Sequence, residues 1–274
     1  LTKDNWYHTA NFHNYKDSFE RLINKEQYLH EAKVALEHRF SGGKDVATYY
    51  MKESAYRTSL EIEVPYVQDH IIVFLHDFFD SPHVYGNMLF PDFLEWIEWT
   101  IEILEQNHIP YCLKPHPNQI GDSAKVIDKL KFQYPNINFI SPKITNKQLV
   151  EAGISAGISV YGTVAHELVY MGVPAILCGD NPHKSYNFCF EAKSKDEYEQ
   201  LIIGYKNLAL VDEYKKEIES FYYMHSLSFS DDMKQLMSMI VCLREYDFNK
   251  KHDCCELFNS IGENIEFKKF ILKL

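Results

Sequence analysis

The sequence predicts an α/β fold, a Rossmann-like parallel sheet flanked by helices, with helical extensions at both ends. Three observations carry this reading. Short apolar runs rich in β-branched residues recur through the middle of the chain, stretches of helical period lie between them, and the two kinds of segment alternate from residue 66 to residue 205.

Residues 1–65 read as a mainly helical, polar-aromatic segment, with Tyr28 to Phe40 the clearest helix and Ser41-Gly42-Gly43 its stop. Asp69 to Leu75 is the first central strand. Pro91 to Gln106 is a helix because Phe93, Trp96, Ile97, Ile101 and Leu104 fall on one face, and Pro91 suits an early helical position. Strand 109–113, helix 122–133, strand 136–141, helix 146–152, strand 156–160, helix 163–171 and strand 173–178 then alternate as a parallel sheet requires. Phe188 to Ala192 is an edge strand and Asp196 to Tyr205 a helix. Residues 206–274 form a helical C-terminal segment, with one or two helices over 212–247. The chain thus divides into 1–65, 66–205 and 206–274.

With 274 residues, 46% of them hydrophobic and 15% aromatic, the chain can bury a full core. It has no apolar run long enough to span a bilayer and no signal peptide, so the expected location is the cytoplasm. The net charge of −11 argues against a nucleic-acid partner, since phosphate-backbone binding needs clustered Lys and Arg. Cys112, Cys178, Cys189, Cys242, Cys254 and Cys255 show no zinc-type spacing and read as reduced and structural.

The most informative stretch is Tyr161-Gly162-Thr163-Val164-Ala165-His166-Glu167, closed by Gly172 and followed by a buried strand. A helix starting at Gly162-Thr163 points unpaired amides and a positive dipole end at whatever sits above the sheet edge, which suits a phosphate. Glu167, one turn in, can take ribose hydroxyls; ordinary capping chemistry is the alternative for the same residues. Upstream, Lys114-Pro115-His116-Pro117-Asn118 follows a strand and places a fixed cation and a switchable donor at a strand's carboxyl end, where open α/β sheets bind ligands. A third cluster, His76 to Gly86, contains Asp80 and His83. Asp80 could act as base or stabilise positive charge, and His83 could donate to a leaving phosphate; the other readings are Asx-type turn formation and a metal site. Gly179-Asp180-Asn181 ends a later strand, from which Asn181 could reach a sugar.

Lys114 to Asn118, with Gly162-Thr163, Glu167 and Gly172-x-Pro174, resembles the nucleotide-sugar-binding half of GT-B glycosyltransferases, especially those that build bacterial capsule and lipopolysaccharide. The His-Pro turn is similar to that of Kdo transferases and sialyltransferases, which hold a CMP-sugar. The spacing from Gly162 to Pro174 also looks like that of UDP-N-acetylglucosamine 2-epimerases, whose corresponding glutamate contacts ribose. The resemblance implies a GT-B C-terminal-domain type of fold, no metal and no cofactor beyond the donor itself. It also implies that the loop Ser141-Pro142-Lys143-Ile144-Thr145 frames the nucleobase, with Ser141 and Ile144 contributing chiefly backbone groups. A complete GT-B enzyme has two such domains and one is visible here. With Leu1 in place of a starting methionine, we therefore expect a piece of a longer protein or a much reduced partner domain.

The expected function is transfer of a sugar from a CMP- or UDP-linked donor to a surface-polysaccharide acceptor, either a glycan or a lipid-linked glycan. Asp80, His83 and His116 are the catalytic candidates. Lys114, His116, Ser141, Ile144, Gly162, Thr163, Glu167 and Asn181 are the donor-binding candidates. The inner face of the plasma membrane and a polysaccharide-assembly complex are compatible placements. The alternatives are a sugar-nucleotide epimerase, a teichoic-acid-type polyol-phosphate transferase and a non-catalytic donor-domain scaffold.

Overall fold

Ile71-Ile72-Val73-Phe74 carries no polar side chain because neither of its faces meets water. In the computed structural model of the chain, which describes residues 12–43, 56, 62–80, 85–117, 119 and 121–228, these residues form β1 (Ile71–Phe74), buried throughout. Ile71 and Val73 enter one core with Trp96, Ile97, Leu104 and Ile158. Ile72 and Phe74 enter another with Ile144, Leu149 and Leu168. The period of two therefore sends alternate residues into separate apolar layers, the condition under which a parallel sheet is stable.

The other strands are β2 (Tyr111–Lys114), β3 (Ala156–Ser159), β4 (Ala175–Leu177) and β5 (Phe190–Glu191). The order is β2-β1-β3-β4-β5 and every pairing is parallel. The expected strand over 136–141 shortens to a bridge: Leu113 N–H donates to Asn138 O (3.0 Å) and Ile140 N–H to Leu113 O (2.8 Å). A turn at 135–137 delays the chain, so only its last residues reach the edge of β2.

On one face lie α3 (Phe93–Gln106), α4 (Ser123–Gln133) and α7 (Lys195–Ile203), and on the other α5 (Asn146–Glu151) and α6 (Thr163–Tyr170). Asp92, not Pro91, begins α3: its carboxylate accepts from the amides of Leu94 and Glu95, each at 2.8 Å, leaving Pro91 outside the helix. Thr145 and Gln148 close a reciprocal capping box on α5. Gly157 in β3 lets α6 approach closely, since a Cβ there would lie 2.2 Å from Leu168 Cδ1.

The described residues of the terminal segments pack onto this core. The helices α1 (Tyr15–Glu20), α2 (Lys25–Phe40) and α8 (Tyr214–Tyr222) gather outside α6. Phe12, Leu36, Phe221 and Tyr222 share one apolar cluster there with Ala165, Val169 and Leu177. The helical expectation for 229–247 lies outside the described residues. No helix among the described residues is long and apolar enough to cross a membrane.

Candidate functional site

The strand order reverses between β1 and β3, and in such sheets the connecting loops part at the carboxyl ends to leave a crevice. A crevice of about 230 Å³ lies there, lined by His76 and Asp80 after β1, Lys114 at the end of β2 with Pro115 to Pro117 beyond it, Ser159 at the end of β3 with Tyr161 to Val164 beyond it, and Glu167 one turn into α6. Three of the segments picked out by sequence thus meet in one place.

At its floor is His76, the first residue of the His76 to Gly86 cluster, for whose His and Asp side chains the sequence offered a metal site as one reading and no role of its own for this residue. Its ring stacks on Phe93 at 4.5 Å and lies 4.6 Å from Tyr161. Its Nε2 accepts from the Tyr161 amide (3.4 Å) and is 3.1 Å from Ser159 Oγ. Burial, with the nearby His116 adding to it, pushes the His76 imidazolium pKa down to about 3. A neutral imidazole that accepts at Nε2 fixes the turn from β3 into α6. We therefore expect His76 to show no protonation step between about pH 5 and pH 8, where an unperturbed histidine titrates; its ring resonances followed by NMR against pH check this.

Lys114 ends β2 and is 6% exposed. Its ammonium sits 5.7 Å from the Phe74 ring centre, and no described residue hydrogen-bonds to it. Burial lowers its pKa to about 8 while Glu167 pulls the other way. Facing it is the start of α6. Gly162 takes φ +118°, a region that favours glycine, and a side chain there would meet open space. No backbone carbonyl of the described residues accepts from the N–H groups of Gly162, Thr163 or Val164.

Glu167 is 2% exposed and is held from several sides. Its Oε1 accepts from Arg39 Nε (2.9 Å) and Nη2; its Oε2 accepts from the Tyr56 hydroxyl (2.6 Å) and Asn146 Nδ2 (3.2 Å). Burial works against the carboxylate, yet Arg39 above all holds it below the ordinary range. A carboxylate has about four lone-pair sites, and all are used by protein donors, so the ribose contact expected of Glu167 finds no vacant acceptor. Arg39, Tyr56 and Asn146 were not picked out by sequence. Asn146, next to the capping residue of α5, carried a local signal; Arg39 and Tyr56 carried none, because their partner is distant in the chain.

The remaining candidates separate. His116 and Asp80 line the crevice. Ser141 and Ile144 do not: Ser141 Oγ accepts from the Lys143 amide (3.4 Å), and the Ile144 side chain is core. Asn181 is also absent from the crevice. Fully buried, it donates to Glu191 Oε1 (2.8 Å) and accepts from the His183 amide (3.0 Å). An Asx-type turn is made at Asp77, whose Oδ1 accepts from the Phe79 amide (3.0 Å) and from Ser123 Oγ (2.8 Å). His83 and Asn118 lie outside the described residues. Among the described residues no group of three or more His, Cys, Asp or Glu side chains is placed to hold a metal ion.

No family model matches the chain, and no curated protein matches it in sequence. Among solved structures it is similar to Methanocaldococcus jannaschii UDP-GlcNAc 2-epimerase, determined in complex with UDP-GlcNAc and UDP, with a TM-score of 0.39 and 15% identity over 56% of this chain and 44% of that one. The chain therefore spans less than half of the epimerase's length.

Proposed function

We propose that the crevice binds the phosphate of a nucleotide sugar and that the protein is a metal-independent glycosyltransferase acting on a glycan or lipid-linked glycan acceptor. The observation that supports this best is the pairing of a buried ammonium that no described residue hydrogen-bonds with an open helix start. Lys114 and the amides of Gly162, Thr163 and Val164 together offer charge and directed donors to one anionic group. Burying a lone cation is costly, and a phosphate would supply the missing partner.

In this reading the leaving phosphate gains charge as the glycosidic bond breaks. Lys114, the α6 amides and His116 stabilise that charge without needing to move. Asp80, at the crevice wall beside Tyr161, is the candidate for taking the acceptor proton. The resemblance of the Lys114–Asn118 and Gly162–Pro174 motifs supports the sugar-nucleotide class. The choice between transfer and epimerisation rests on whether an acceptor is consumed.

A thermal-shift panel of CMP, CDP, UDP, GDP and their sugar conjugates tests the reading. A ligand specific to the native state raises the melting temperature, by the equivalent of about 2.7 kcal/mol at a hundredfold excess over Kd. The expected result is a rise with one base and a larger one with its sugar conjugate. No rise with any nucleotide would sink the proposal. Turnover of the selected conjugate without acceptor, giving an epimerised nucleotide sugar, would replace transferase by epimerase.

A further inference from the structure

Glu167 lines the crevice but is fully engaged by protein donors, whereas Lys114, in the same lining, is hydrogen-bonded by no described residue. Both side chains are buried and line the same crevice, Glu167 with its carboxylate fixed by Arg39 and Lys114 with no hydrogen-bond acceptor among the described residues, so the carboxylate favours the charged form of Lys114 against its burial. The carboxylate is held in place by Arg39, which reaches α6 from helix α2, 128 residues earlier. We propose that Glu167, fixed by Arg39, Tyr56 and Asn146, is a positioning residue that acts through Lys114, keeping the buried ammonium charged for the ligand's phosphate instead of touching the ligand itself.

This rests on the reading that Lys114 meets an anion, and it assigns the N-terminal helical segment a share in the site. The mechanism is elementary. A buried lysine left to itself surrenders its proton, and a nearby carboxylate opposes this. Glu167 can do so only while its own charge is secured, which the buried arginine ensures. The other ionisable groups lining the crevice are Arg39 on α2, His76 and Asp80 after β1, Tyr85, His116 beside Lys114, and Tyr161 before α6. His76 is neutral, and Arg39 is matched by Glu167 itself.

Sulfate is a suitable probe because its charge does not change over the working pH range, and equilibrium dialysis measures its binding directly. In the wild type, binding should weaken as pH rises through about 8, where Lys114 loses its proton. In Glu167→Gln the midpoint should move down by roughly 1 unit or more, the scale of a lost opposite charge, and Glu167→Asp should bring it back towards the wild-type value. Because Glu167→Gln leaves Arg39 buried without its counter-charge, the neutral pair Arg39→Gln/Glu167→Gln serves as a second variant lacking the same carboxylate; it too should show the lower midpoint. A merely structural glutamate would change the melting temperature and leave the midpoint where it was, and that result would overturn the inference. If instead Lys114→Met binds sulfate as the wild type does, the reading of the crevice as an anion site itself falls.

Discussion

Replacing Lys114 with methionine should remove most nucleotide binding and at the same time raise the melting temperature. The two effects have one cause. Lys114 is 6% exposed and burial lowers its pKa from 10.5 to about 8, so the unfolded chain binds this proton more tightly than the folded one. Stability therefore rises with pH between those two values, and below the folded value the full cost of the buried charge is present. Near neutral pH methionine, similar in length and apolar, would relieve up to about 3 kcal/mol of that cost. The same substitution strips a desolvated ionic contact from the bound phosphate, a loss of about 2–5 kcal/mol, or from roughly 30-fold to several thousandfold in Kd. Calorimetric titration with the nucleotide selected by the panel, beside thermal unfolding of the free protein, measures both. Lower stability together with unchanged affinity would mean that Lys114 serves packing and not ligand binding.

Such opposition between stability and function is expected where a binding site is prepared before its ligand arrives. It also explains why this part of the molecule was legible in the sequence. A lysine between an apolar strand and two prolines, and a glycine-threonine helix start after another strand, are local patterns that do not depend on distant partners. The strands were legible for a related reason: β1, β4 and the first three residues of β3 are apolar on both faces, as a parallel sheet between two helical layers requires. Strand 136–141 was overextended because Ile137, Phe139 and Ile140 look like a strand in isolation, while the turn at 135–137 leaves time for one bridge only.

Glu167 shows where local reading stops. Its position in α6 fits a carboxylate offered to a ligand, and nothing between residues 160 and 180 indicates otherwise. The residue that engages it stands on α2, within a segment whose own sequence indicates a helix and no partner. Likewise Asn181 looks like a loop asparagine open to solvent, yet His183 and Glu191 fold around it and consume its amide. Ile144 lies within the loop 141–145, read as offering backbone groups to a nucleobase, and its side chain joins Leu149 and Leu168 in the core. In each case the tertiary neighbour, and not the residue type, decides what the side chain touches.

The buried pair itself should give the largest stability change in the protein. Arg39 and Glu167 are 2% exposed each, so Arg39→Met leaves a carboxylate hydrogen-bonded by two neutral donors and without its ion-pair partner, a loss of about 3–5 kcal/mol. Removing both charges with Arg39→Met/Glu167→Leu should recover most of it, because a well-packed apolar pair carries no desolvation cost. Chemical denaturation of the two single variants and the double one closes the cycle, and the coupling should be strongly favourable to the native pair. The pH dependence supplies an independent sign. In the wild type Glu167 has its folded pKa below the ordinary carboxylate value, so its contribution is present above that value and is lost as pH falls through the folded pKa. Without Arg39 the burial that already opposes the charge prevails, the folded pKa rises above the unfolded one, and the contribution reverses: Arg39→Met should gain stability relative to wild type as pH is lowered through the carboxylate range. Parallel pH profiles for the two proteins would show that the pair is tied to the fold by shape alone. Crossing or converging profiles would show that helix α2 holds the crevice together by charge, which makes the N-terminal segment a component of the site.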